Sequence, residues 1–118
     1  MSATKLLIPG ASMDLDEVSR IVAVKTITIN AAAIVVPSDW QGLMVRFAQA
    51  CAVTVPSGLP NDFWCGWSQD SVGAVTFVQG AGATLQSLGG LLVSGGQYAM
   101  GGLMAWGANT VRLYGQMA

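Results

Sequence analysis

Between Asp70 and Arg112 the chain carries no charged residue. A stretch that long without charge has to be buried in a membrane, in a core or against another molecule. A membrane-spanning helix over Leu88–Ala108 is long enough on paper. Glycines at 89, 90, 95, 96, 101, 102 and 107 oppose it, because each weakens a helix by about 1 kcal/mol relative to alanine. No basic flank fixes an orientation either, so no membrane association is expected. The stretch reads instead as β-structure, where paired glycines suit tight turns, bulges and close strand crossings.

The rest of the chain supports that reading. Leu43, Val45 and Phe47 alternate around Met44 and Arg46, giving one apolar face at the period of a strand. Val53 and Val55 flank Thr54 before the turn cluster Pro56-Ser57-Gly58. Phe63, Cys65 and Trp67 repeat the pattern, as do Val75 with Phe77 and Val111 with Leu113. Apolar runs broken by Gly, Pro, Asn or Asp roughly every ten residues predict an all-β fold, a small antiparallel β-sandwich or jelly-roll-like barrel. That domain is expected over residues 31–118, preceded by an N-terminal arm and added strand over residues 1–30. Asp14-Leu15-Asp16-Glu17 fits one short capped helical turn. The run from Arg20 to Ile29 is β-branched, and apolar on both faces at Ile21, Val22 and Val24. A strand apolar on both faces is usually buried on both, which makes those three residues candidates for an interface with a neighbouring subunit.

The 118 residues suit one domain; 53 % are hydrophobic and 9 % charged, against an ordinary charged share of about 25 %. So weakly charged a surface favours association, and a homo-oligomer or a permanent partner is expected. The cations Lys5, Arg20, Lys25, Arg46 and Arg112 do not cluster, which excludes binding driven by phosphate neutralisation. No nucleic acid is expected as a partner. Leu6-Leu7-Ile8 before Pro9-Gly10 is too short an apolar run for a signal peptide, so the chain is expected to stay in the cytoplasm until assembled. Cys51 and Cys65 make no disulfide framework and read as buried free thiols.

Signals for catalysis are weak. There is no histidine, which removes the commonest general base, nucleophile partner and metal ligand. Asp39, Asp62 and Asp70 each stand beside turn-forming residues, where capping of the backbone accounts for them. Asp14, Asp16 and Glu17 lack the glycine and distal glutamate of a calcium loop. Gly80-Ala81-Gly82-Ala83-Thr84-Leu85 lacks the third glycine of a dinucleotide fingerprint. No enzyme activity, metal or cofactor is expected. Of the tryptophans at 40, 64, 67 and 106, most suit the core. Trp64 and Trp67 point to opposite faces of one strand, and an outward Trp64 is a candidate interface anchor.

From Asp39 onward the order of motifs resembles the small β-sandwich modules of tailed-phage virion proteins. The matching pieces are Asp39-Trp40-Gln41-Gly42 leading into Leu43-Met44-Val45-Arg46-Phe47, then Ala52-Val53-Thr54-Val55-Pro56 and Gly80-Ala81-Gly82-Ala83-Thr84-Leu85. Gly96-Gln97-Tyr98-Ala99 and the closing Val111-Arg112-Leu113-Tyr114-Gly115 follow. The resemblance implies a structural virion protein made in the host cytoplasm, with the major capsid protein or other virion proteins as partners. Only residues 1–38 precede the matching part, which suits a capsid decoration (cement) protein. The alternative is a receptor-binding or fibre-tip module recognising a host-surface glycan.

Overall fold

A computed structural model describes residues 25–118. Among the described residues nine strands carry the fold: β1 (Lys25–Ile29), β2 (Ala33–Val35), β3 (Leu43–Phe47), β4 (Cys51–Val55), β5 (Trp64–Gln69), β6 (Val75–Gln79), β7 (Thr84–Ser87), β8 (Met100–Gly107) and β9 (Thr110–Gly115). Two short 3-10 turns, Ser38–Trp40 and Leu88–Gly90, complete it. The protein is all-β, and each alternation read from the sequence falls on a strand. Among the described residues no helix is long and apolar enough to cross a membrane. The proposed turn at Asp14–Glu17 and the residues Ile21, Val22 and Val24 lie outside the described residues.

Successive strands do not pair with each other at first. They alternate between two sheets, one ordered β1-β3-β5-β8-β9-β7 and the other β2-β4-β6. Lys25 aligns with Leu43, Met44 with Gly66, Ala33 with Ala52 and Cys51 with Val75, all in parallel. Each winding therefore lays one strand on each sheet and advances by roughly twenty residues, in the manner of a β-solenoid. This corrects the expected antiparallel sandwich or jelly-roll barrel. A hairpin turn and an arch that crosses to the facing sheet use the same short turn-forming residues, so spacing alone does not separate them. The described part of the proposed added strand, β1, pairs with β3 of its own chain.

The winding changes at its end. β7 would continue the large sheet beside β5, but the β8–β9 hairpin is inserted between them: β8 pairs antiparallel with β5 and β9, while β7 lies parallel to β9. Asn109 takes a positive φ of 55° in the connecting turn, a conformation asparagine accepts more readily than most residues. The free edge of β6 is covered by the returning segment: Phe77 N–H donates to the Leu92 carbonyl and Ser94 N–H to the Val75 carbonyl. Ser94 Oγ accepts from Val75 N–H at 2.8 Å and donates to Gln69 Oε1. Gln69 Nε2 donates to the Ser71 carbonyl at 2.9 Å. This buried clasp ties both sheets to the return segment.

One core lies between the sheets. Val45, Phe47, Cys65, Trp67, Leu103, Val111 and Leu113 face Val53, Val55, Val75 and Phe77 across it. Trp67 meets Phe77 with ring centroids 5.3 Å apart. The Trp67 Nε1 is buried without a hydrogen-bond partner among the described residues. Burying roughly 200 Å² of indole contributes about 5 kcal/mol, which exceeds the about 1–3 kcal/mol that an unpaired donor costs.

The hairpin fits beside β5 because Gly101 has no side chain. A Cβ there would overlap the Tyr114 carbonyl oxygen and lie 2.5 Å from Trp67 Cζ2. Gly101→Ala is predicted to destabilise the fold by about 2–3 kcal/mol, measured by urea unfolding. An unchanged urea midpoint would show that the hairpin does not depend on this close approach.

Candidate interaction face

Because side chains alternate along a strand, the large sheet has a second face turned away from the core. The register arranges that face in three rows. One row runs Trp64, Met104, Arg112, Gln86 across β5, β8, β9 and β7. The next runs Thr26, Met44, Gly66, Gly102, Tyr114. The third runs Thr28, Arg46, Ser68, Met100.

The middle row has a glycine floor. A Cβ at Gly66 would meet Met44 Sδ at 2.9 Å, and one at Gly102 would strike the Tyr114 ring. Met44 and Tyr114 thus fold down over the two glycines and form a low ridge. Trp64 Nε1 donates to Tyr114 Oη at 2.6 Å, which locks the ridge to β5. Trp64 is on the outward face, the condition for its candidacy, but it is half-buried and its indole N–H is already engaged within the chain.

A depression lies on either side of the ridge. One, of about 520 Å³, is lined by Gln86, Met104, Trp106, Arg112 and Tyr114, among others. The other, of about 380 Å³, is lined by Thr26, Arg46, Asp70, Tyr98 and Met100, among others. Tyr98, Met100, Met104, Trp106 and Tyr114 are all exposed, so most of the large apolar side chains that meet solvent on this sheet gather around the ridge. Leu88, also exposed, lines the first depression, whereas Val35, Val72 and Val78 line neither.

Charge on this face is sparse. Arg46 Nε donates to Asp70 Oδ2 at 2.7 Å, and Ser68 Oγ donates to Asp70 Oδ1 at 2.7 Å. The hydrogen bond from Ser68, reinforced by the Arg46 guanidinium, holds the Asp70 carboxyl below its ordinary range against a smaller opposing effect of burial. Arg112 Nε donates to Gln86 Oε1 at 3.1 Å, and its guanidinium carbon sits 4.2 Å from the centre of the Trp106 ring.

The other residues singled out in the sequence do not come together. Asp39 lies in the Ser38–Trp40 turn, which carries no side-chain cap. Asp62 offers its backbone carbonyl to Gln41 Nε2 at 3.0 Å. Asp70 is engaged with side chains, so the capping expected of it is replaced by an ion pair. Among the described residues no group of three His, Cys, Asp or Glu side chains could hold a metal ion. Cys51 and Cys65 are buried free thiols. Burial raises the Cys51 thiol and pushes Cys65 up to about 12, which keeps both from acting as thiolates at neutral pH. Tyr98, Met100, Met104 and Tyr114 were not candidates from the sequence. The signal for two of them was there, in the alternation of Met100, Gly102 and Met104.

A carboxyl with a depressed folded-state pKa stabilises above its unfolded value, and that contribution is lost as pH falls through the folded value. The melting temperature of the wild type is therefore expected to exceed that of Asp70→Asn at pH 7. The gap should begin to narrow below about pH 4, where an unperturbed aspartate protonates, and close as pH falls through the lowered folded-state value. A gap that persists unchanged to pH 2 would show that the Asp70 charge is not involved.

A comparison with protein-family models finds no match, and comparisons with curated proteins and with solved structures find none either.

Proposed function

We propose that this chain is a structural virion protein of a tailed phage, a decoration (cement) protein that docks on the assembled shell through the outward face of its large sheet. The observation that carries the reading is the exposed group Tyr98, Met100, Met104, Trp106 and Tyr114 in a nearly uncharged field. Apolar surface of this kind gains free energy when covered, at about 25 cal/mol per Å². Methionine adapts its shape to a partner, and aromatic rings anchor interfaces. The order of the motifs from Asp39 onward is what suggests virion modules; of the fold, the all-β character agrees with that resemblance and the parallel winding does not.

The mechanism is mass action. A protein that binds the mature shell and not its separated subunits stabilises the shell by about 2.7 kcal/mol at a free concentration a hundredfold above Kd. A homo-oligomer engaging several sites adds avidity without new contacts. The partner in this reading is the major capsid protein or another virion protein, and the small-sheet core serves to hold the docking face rigid.

A second reading, a receptor-binding or fibre-tip module that recognises a host-surface glycan, is favoured by one observation. The Trp106 depression combines an aromatic face with the polar groups of Gln86, Arg112 and Tyr114.

Two measurements test the first reading. Quantitative mass spectrometry of purified particles should give a copy number equal to the major capsid protein or a simple fraction of it. A handful of copies moves the protein to a tail or fibre, and absence from particles overturns both readings. The double variant Tyr98→Glu/Met100→Glu should fold with an unchanged melting temperature, because both side chains are exposed. It should fail to bind shells that lack the protein, and retained binding would remove this face from the interface.

A further inference from the structure

We propose that the depression between β7, β8 and β9 binds the carboxylate-bearing sugar of an acidic glycan, an inference that rests on the glycan-recognising reading above. Arg112 is the one charged residue from position 71 to position 118. Among the described residues the ion pair is Arg46–Asp70, and Arg112 meets a neutral amide and an aromatic ring. The guanidinium is therefore oriented, and among the described residues it meets no carboxylate. Its planar fork matches a carboxylate, which it can hold through two parallel charge-assisted hydrogen bonds.

The surroundings supply what a sugar ring needs besides its charge. Trp106 is 58 % exposed, so part of its indole is accessible for C–H contacts with a pyranose beside the Arg112 guanidinium that covers the ring. Gln86 uses Oε1 to hold Arg112, which leaves its Nε2 hydrogens to donate to a hydroxyl. Tyr114 Oη accepts the Trp64 N–H, which leaves the phenolic proton to donate outward. The volume of about 520 Å³ lies within the range of small-ligand clefts and takes about one or two sugar rings. A single cation is too little for a nucleic-acid backbone, whose binding draws on several neutralised phosphates. A neutral glycan would leave the guanidinium unpaired.

The test is calorimetric titration of the intact protein with oligogalacturonate, a hyaluronan tetrasaccharide and sialyllactose, each beside its methyl ester. At least one acid form should bind saturably, with its ester about tenfold weaker, as befits the loss of a charged hydrogen-bonding partner. Arg112→Gln should reproduce that tenfold loss for the acid and leave the ester unaffected, whereas Trp106→Ala should weaken both. Acid and ester bound equally well would overturn the carboxylate assignment and leave glycan recognition standing. No binding of either form across the set would overturn both. The ester comparison needs no substitution, so it decides the matter even if a variant fails to fold.

Discussion

The contact on which the architecture turns is Trp67 seated between the two sheets, with Phe77 on one side and Gly101 on the other. Phe77 belongs to the small sheet, Trp67 to the large one, and Gly101 to the hairpin that ends the winding. One ring therefore joins the parallel coils to the antiparallel insert. Its size demands a residue without a side chain opposite, and that demand places Gly101 where β8 crosses β5. The same strand then turns Gly102 outward, where Tyr114 closes over it. Core packing and the surface ridge are two sides of one crossing.

Part of this was legible from residue order. Alternation located β3, β4, β5, β6 and β9, and the opposite parity of Trp64 and Trp67 assigned one ring to the core and one to the surface. Pairing was not legible, because it depends on which sheet a turn delivers the chain to. The link from Phe47 through Ala48-Gln49-Ala50 to Cys51 reads like a hairpin loop, yet it crosses the core to the facing sheet. The outward face of the large sheet was hidden for a related reason. Its rows are assembled from β5, β7, β8 and β9, and only the register brings Trp64, Met104, Arg112 and Gln86 side by side. The uncharged run after Asp70 pointed to buried or shared surface, and the fold divides it between the core, the edge cover and the exposed ridge.

That division also accounts for the low charge of the stretch. Leu103, Val111 and Leu113 enter the core, while Met100, Met104 and Trp106 stay outside. Between them the glycines give close approach at the β5–β8 crossing and a tight turn at Gly89-Gly90, where both residues take a positive φ. A charged residue on the ridge would have to be desolvated on docking, a cost that grows steeply when the charge is left unpaired. Arg46 is neutralised by Asp70 in advance, and Arg112 is the exception.

The return segment over β6 sets a polarity on the whole molecule. Parallel coils invite unlimited stacking, since the last rung of one molecule offers backbone groups to the first rung of the next. Here the Leu92–Ser94 stretch occupies those groups on the small sheet and is fastened by Ser94 and Gln69. The small sheet is thus stopped at that rung and cannot grow there into a fibre. Among the described residues the large sheet has no such stop at β7, which ends it with one unpaired side, so the two sheets of one winding finish in different ways.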